Sequence, residues 1–362
     1  MPEAGTGSLV GPVEVVGTGL VGTSVALACA RAGIEVLLSD HNDEHVRTAS
    51  GLGAGRVRRA DDRPQLVVVA VPPDVLGPVI TAALTASEAV VTDVGSIKAR
   101  PLAQVLEHPE AAAHAARYVG SHPMAGSEHS GPLAASPTLF EGRPWAITPH
   151  RDADVAAVEL VEDLVRLVGA VPAWLTPEEH DRAVARISHV PHLVSSLVAG
   201  RLAGAPDNHL SLSGQGVRDV TRVAAGDPRL YGQIVAGNAP AVGELLRELR
   251  RDLDAMIEAI AGDERAALEQ LLETGVAGTR AIPGKHGAPA TAMVSVFVTV
   301  PDHPGELARL LADAVASEVN VEDIRIDHDT SRPTGLVELV VAEQSGERLL
   351  VSLESRGWVT HR

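Results

Sequence analysis

The chain has 362 residues, 45% hydrophobic and 21% charged, enough for two or three soluble domains with cores of their own. Asp and Glu number 47 against 30 Lys and Arg, a formal charge of −17, and this excess excludes the clustered cationic surface that a nucleic-acid backbone demands. A single cysteine, Cys29, excludes an intrachain disulfide, and no uninterrupted apolar run approaches the roughly 20 residues that span a bilayer. With Glu3 and no basic cluster before Pro12, a signal peptide is not expected, and the chain reads as a cytoplasmic protein with neither nucleic acid nor membrane as partner.

Val13–Val16, Glu35–Leu38, Leu66–Val71 and Ala89–Thr92 are short, nearly continuous β-branched runs, as in strands buried on both faces of a parallel sheet. Helical spacing fills the intervals Leu20–Arg31, Asp43–Gly51 and Asp74–Ala86. This βαβ alternation predicts a doubly wound, Rossmann-type α/β domain over residues 1–174. From 175 to 280 the strand signals vanish. Helices are expected at Glu178–Val190, Leu193–Ala203, Asp219–Ala225, Pro240–Ile260 and Asp263–Thr274, with Thr176-Pro177-Glu178-Glu179 as a start signal. Residues 281–292 are rich in Gly, Pro and Ala and read as a linker. Across 293–362, strands at Met293–Val300, Asp323–His328, Leu336–Ala342 and Trp358–Thr360 alternate with helices at Gly305–Ser317 and Gly346–Arg356. That order is β-α-β-β-α-β, a ferredoxin-like α+β unit.

Gly17-Thr18-Gly19-Leu20-Val21-Gly22 follows the first strand and opens the first helix. In such a loop Gly17 permits the turn, Gly19 lets a pyrophosphate approach, and Gly22 lets helix and strand pack closely. Asp40 ends the second strand about 20 residues on, where a carboxylate takes a ribose 2′-hydroxyl. With no arginine until Arg47, the pattern favours NAD over NADP. Val71-Pro72-Pro73 closes the next strand where the cofactor ribose would pass, or simply terminates that strand. Asp93-Val94-Gly95-Ser96-Ile97-Lys98 closes the one after it, and Ser96 is either a nicotinamide or substrate contact or the N-cap of a helix over Ala99–Leu106.

Gly120-Ser121-His122-Pro123-Met124-Ala125-Gly126-Ser127-Glu128 places a histidine in a stiffened loop after a short strand at Arg117–Gly120. Neutral imidazole with an ordinary pKa near 6.5 is suited to accept a hydroxyl proton. His180, His189 and His192 invite a metal reading, but Pro191 disturbs their spacing and no cysteine cluster or H-E-x-x-H pattern accompanies them, so no metal is expected.

In this order, Gly17–Gly22, Asp93–Lys98, His122–Glu128, His180-Asp181, Ser188–His192 and Arg218-Asp219-Val220-Thr221-Arg222 resemble the motifs of the prephenate dehydrogenase (TyrA) family. The resemblance implies NAD-dependent oxidative decarboxylation of a cyclohexadienol in tyrosine biosynthesis, by a homodimer whose helical domain supplies substrate contacts. It implies that His122 accepts the ring-hydroxyl hydrogen bond with Ser96 beside it, and that Arg222 holds the ring carboxylate. Ser127 and Glu128 would contact the substrate, and His180, His189 and His192 would line its cleft or orient Glu128 and Arg222, or else serve structurally. Tyr231, where relatives often carry tryptophan, would form part of the wall. Gln215-Gly216-Val217 departs from the Gly-Gly-Phe common in the family but keeps the arginine, while Arg218 either assists Arg222 or pairs with Asp219.

The last unit resembles an ACT regulatory domain, through Asp302-His303-Pro304-Gly305-Glu306-Leu307 and the segment from Val319 through Asn320 to Ile324. Such units often pair across a two-fold and bind an amino acid between them, which makes Asp302, His303, Gly305, Glu306, Leu307 and Asn320 candidate effector residues and tyrosine the candidate effector; the alternative is a dimerisation or stability module with no ligand. Arogenate or an amino analogue of prephenate are alternative substrates, since all keep the ring carboxylate. A β-hydroxyacid dehydrogenase or imine reductase would not need His122–Glu128, and a non-catalytic sensor of NAD and amino acid would bind without turnover.

Overall fold

The computed structural model describes residues 8–126, 129–282, 292–328 and 334–361; Ser127, Glu128 and most of the expected linker lie outside them. The chain divides into two compact units, Met1–Leu253 and Asp254–Arg362.

The first unit is built on eight strands: β1 Val13–Val16, β2 Val36–Ser39, β3 Arg56–Val57, β4 Leu66–Val69, β5 Val90–Asp93, β6 Tyr118–Pro123, β7 Pro144–Thr148 and β8 Val171–Trp174. Their order across the sheet is β3-β2-β1-β4-β5-β6-β7-β8. Strands β1 to β6 run parallel in doubly wound order, Val13 lying opposite Val36 on one side and Leu66 on the other. Val13, Val15, Leu38 and Val68 bury one face of the sheet under helices Leu20–Arg31, Asp43–Gly51 and Val155–Leu167. Val67, Val69 and Val91 bury the other under Pro73–Ala86 and Ala99–Glu107.

Some features depart from the expected pattern. β7 runs antiparallel to β6 and β8 parallel to β7, because the connection from β6 returns without a crossover helix and delivers the next strand reversed. The strand expected at Leu66–Val71 stops at Val69, and Pro72 caps the following helix. The strand expected at Arg117–Gly120 instead reaches Pro123, since pairing of His122 with Ala146 carries it past its parallel neighbour.

β5 and β6 pair only at Val91–Tyr118 and Thr92–Val119 and then diverge. Open α/β sheets bind ligands at such crevices beyond the carboxyl ends of strands. The fork is bounded by the helical part of the same unit. Helix Pro177–Val184 begins at the expected start signal, which here closes a capping box: the Thr176 hydroxyl accepts from the Glu179 amide at 3.2 Å, and the Thr176 amide donates to Glu179 Oε2 at 2.9 Å. It continues through one π-helical turn, Ala185–His189, into Val190–Leu202. Helices Gln215–Thr221, Pro228–Gly237 and Ala239–Ala261 follow.

In the second unit, β9 Met293–Pro301, β10 Val321–His328, β11 Thr334–Ala342 and β12 Val359–His361 form an antiparallel sheet in the order β10-β11-β9-β12. With helices Glu306–Val315 and Glu343–Ser355 this is the expected β-α-β-β-α-β order. Val296, Val298, Val337 and Leu339 alternate onto the helix-covered face with Leu310 and Leu353. Trp358 closes that core, donating from its indole N–H to Asp313 at 2.8 Å beneath the Arg309 guanidinium.

Candidate active site

The glycine loop is fitted to its strands and open to a ligand. Gly17 sits at φ +100°, and a Cβ there would overlap the Ala70 carbonyl; one on Gly22 would overlap the Gly17 carbonyl oxygen. Gly19 has nothing within 4 Å of a Cβ position, and the helix it opens has neither a side-chain cap nor an acid in its first turn. Its leading N–H groups are thus available to an anion. Val71 packs against Gly17, so the β1 and β4 turns lie side by side at the point where the strand order reverses.

Asp40 stands beside this loop. Its Oδ2 accepts from the Thr18 amide at 2.6 Å and from the Thr18 hydroxyl at 3.0 Å, and its Oδ1 accepts from the Asn42 amide at 2.9 Å. Burial pushes the carboxyl pKa up, but these donors outweigh it and hold the pKa below its ordinary value. The remaining neighbour, His41 Nδ1 at 3.0 Å, belongs to an almost fully exposed ring that a ribose hydroxyl can displace.

The fork between β5 and β6 holds a buried polar network. Lys98 is paired with Asp93, and its Nζ donates to the Ser121 carbonyl at 2.6 Å. The Tyr118 hydroxyl donates to Asp93 Oδ1 at 2.9 Å, and the Ser121 hydroxyl donates to the Asp93 carbonyl at 2.6 Å, closing the gap left by the diverging strands. Burial lowers the Lys98 pKa against the pull of Asp93, and raises that of Tyr118. Ser96 does not cap the next helix. Lys98 is the capping position, and the carboxylate that accepts from its amide at 2.8 Å and from the Ala99 amide at 2.9 Å is Asp181, 83 positions away. Ser96 is left half-buried at the fork with no hydrogen bond among the described residues.

His122 is the penultimate residue of β6, half-buried. Its Nδ1 is 2.9 Å from Nε2 of His180, whose Nδ1 is 2.9 Å from Asp181 Oδ1. Burial, then the neighbouring His180, Lys98 and His189, hold the His122 pKa well below 6.5. His180 is lowered mainly by burial, and so is His189, to about 4. Asn238 links these groups, donating to the Asp181 carbonyl at 2.7 Å with its Nδ2 3.3 Å from His189 Nδ1. One helical turn beyond His189, the His192 ring stacks on Tyr231 with centroids 3.4 Å apart and planes nearly parallel. Arg222 heads the turn Arg222–Ala225, which packs on the helix carrying His192; it is exposed and has no hydrogen bond or ion pair among the described residues.

His122 and His180 are thus in contact, and so are His192 and Tyr231, while His189, beside Asn238, lies one helical turn before His192. Sequence reasoning placed Asp93, Lys98, Ser121 and Asp181 inside motifs without assigning them tasks, and it missed Tyr118 and Asn238. The one local signal was a lysine five positions after an aspartate in an otherwise small and apolar run.

The family model "Prephenate dehydrogenase, nucleotide-binding domain" matches residues 25–173, and "Prephenate dehydrogenase, dimerization domain" matches 176–274. A probable prephenate dehydrogenase of Streptomyces niveus is 35% identical over 357 residues, covering 95% of this chain and 98% of its own length. The chain belongs to the prephenate dehydrogenase family. Among solved structures, the prephenate dehydrogenase of Aquifex aeolicus in complex with hydroxyphenyl propionate and NAD+ is 27% identical at a TM-score of 0.67, covering 74% of this chain and 96% of that one. An arogenate dehydrogenase of Synechocystis is 26% identical at 0.62, covering 74% and 98%. The family makes the chain a dehydrogenase with a dimerization region, and that region here exposes Leu197, Val220, Leu249 and Leu253. Among the described residues, no helix is long and apolar enough to cross a membrane, and no group of three or more His, Cys, Asp or Glu could hold a metal ion.

Proposed function

We propose that the protein is an NAD-dependent, homodimeric prephenate dehydrogenase that forms 4-hydroxyphenylpyruvate. The observation that carries this reading is His122: a neutral imidazole at the carboxyl end of β6 whose Nε2 has no partner among the described residues. The open glycine loop and Asp40 fit a dinucleotide whose ribose 2′-hydroxyl is free, with Val71 and Pro72 flanking its path. When bound, NAD supplies the hydride acceptor. His122 Nε2 accepts the hydrogen bond of the ring hydroxyl, and the half-buried, unbonded Ser96 hydroxyl supports a role at the same oxygen or at the nicotinamide. The partnerless Arg222 guanidinium takes the ring carboxylate as a bidentate ligand, with the His192–Tyr231 stack as an adjoining wall. Ser127 and Glu128 remain part of this proposal from the motif alone.

Arogenate is the second reading, favoured by the arogenate dehydrogenase among the structural neighbours. The test is NADH formation by purified protein given prephenate or arogenate with NAD, with and without tyrosine. NADH from prephenate in preference to arogenate is expected. NADH from neither removes the reading.

The C-terminal unit serves as an ACT-like amino-acid sensor in this proposal, inhibited by tyrosine. Support comes from its strand order and from Gly305, whose φ of +96° turns the chain from β9 into the helix beginning at Glu306. Asp302, His303, Glu306 and Leu307 lie on or beside that turn. Asn320 precedes β10 at the opposite end of the sheet, because Pro301 pairs with Thr334 whereas Val321 pairs with Val341. A ligand touching both groups would lie between two copies of the unit.

A further inference from the structure

We propose that His180 and Asp181 are positioning residues that fix the tautomer of His122 and hold its proton during turnover, making a two-imidazole relay that ends inside the protein. The inference deepens the functional reading above and rests on it for the identity of the hydroxyl.

The proton pattern follows from the chain of acceptors. Both Asp181 oxygens accept backbone N–H bonds, from Lys98 and Ala99, at the start of a helix where negative charge is favoured. The carboxylate is therefore an acceptor, and His180 Nδ1, at 2.9 Å, must donate to it. In neutral His180 the Nε2 atom then carries a lone pair. That lone pair faces His122 Nδ1 at 2.9 Å, so His122 must carry its hydrogen on Nδ1. The lone pair of His122 is left on Nε2, where a substrate hydroxyl needs it. If His180 were protonated, Nδ1 of His122 would become the acceptor and its Nε2 would carry the hydrogen, the wrong tautomer for a base. Burial of His180 and the facing Lys98 ammonium both oppose that state, while Asp181 and Asp93 favour it.

In turnover the substrate O–H bond breaks and an N–H bond forms at His122 Nε2, while the His122 Nδ1 hydrogen passes to His180 Nε2. His180 then carries two N–H bonds and a positive charge beside Asp181. The carbinol hydride goes to NAD, the oxidant. The electron pair of the ring–carboxylate bond enters the ring as CO2 leaves, and the oxygen takes back its proton from His122 as a phenol. The cycle releases no net proton. A relay with no exit to solvent therefore suffices, and the buried Asp181 carboxylate, both of whose oxygens are held by the amides of a helix start, is a dead end.

The test combines ¹⁵N-histidine NMR of the full chain saturated with NAD and kinetics of His180→Gln. The glutamine side chain keeps an acceptor for the His122 N–H but cannot hold a proton. The spectrum should show protonated Nδ1 and unprotonated Nε2 on both His122 and His180. The variant should retain its melting temperature and KM within twofold, lose about 10- to 100-fold in kcat, and convert a bowed proton inventory in mixed H2O and D2O into a straight one. A protonated His122 Nε2 in the resting protein, or a variant with wild-type kcat and inventory, overturns the proposal. If neither prephenate nor arogenate yields NADH, the functional reading falls, and the nitrogen shifts still support or overturn the tautomer assignment on their own.

Discussion

At the scale of single residues, the decisive property is that His122 is kept neutral by burial and by the cationic or imidazole groups around it, His180, Lys98 and His189. His122→Asn removes the proton acceptor while leaving a side chain of similar reach. Its kcat should fall about 10²- to 10⁴-fold with KM little changed, and steady-state NADH kinetics check this; an unchanged kcat removes His122 from the chemistry. The pH dependence has a definite sign. A base whose pKa is depressed stays competent down to that value, so kcat should hold through pH 6.5 and fall only as the pH drops below it. A profile with its acid limb at or above 6.5 would contradict the burial argument. Arg222 contributes to binding in this scheme. Arg222→Ala should therefore raise KM for either ring substrate, and an unchanged KM refutes the carboxylate role.

At the scale of elements, local signals were legible and long-range ones were not. Val13–Val16, Leu20–Arg31 and Asp43–Gly51 fall where apolar period and turn chemistry put them, because each is decided by neighbours within a few positions. The capping box at Thr176 and Glu179 is local in the same way. The reversal of β7 and the two-residue β3 have no local signature, since both are decided by pairing across the sheet. Of the candidate site, His122, His180 and the glycine loop could be read. The use of Asp181 to cap a helix 83 positions away could not, for no spacing rule links the two. The glycine loop gives an element-level prediction that separates folding from binding. Gly22→Ala drives a methyl into the Gly17 carbonyl and should lower the melting temperature. Gly19→Ala meets open space, so it should fold normally yet lose NADH affinity at least tenfold, since a single lost or obstructed polar contact is worth about 1.4 kcal/mol or more. Equal NADH affinity in Gly19→Ala and wild type, by fluorescence titration, would place the pyrophosphate elsewhere.

At the scale of the whole molecule, the sheet register of the C-terminal unit would make the proposed tyrosine regulation a property of two chains. β9 has nine residues, so at about 3.3 Å per residue the turn after Pro301 and the segment before Val321 stand roughly 25 Å apart in one copy. A free amino acid spans far less than that. If tyrosine is held by Asp302 from one copy and Asn320 from the other, a dimer contains two equivalent sites, each using one residue from each chain. Homodimers of Asp302→Ala or of Asn320→Ala then lose both sites. A mixed dimer concentrates both defects in one site and leaves the other intact. Differently tagged variants, co-purified as mixed dimers, should therefore bind tyrosine by calorimetry with wild-type affinity and half the wild-type stoichiometry, while either homodimer binds at least tenfold more weakly. Because coupling is reciprocal, the mixed dimer should also recover part of the tyrosine sensitivity of NADH formation. A mixed dimer no better than its parents would show that the two residues do not share a ligand. A wild-type protein that binds none of tyrosine, phenylalanine or tryptophan would leave the C-terminal unit without an effector role, its sheet then serving assembly alone.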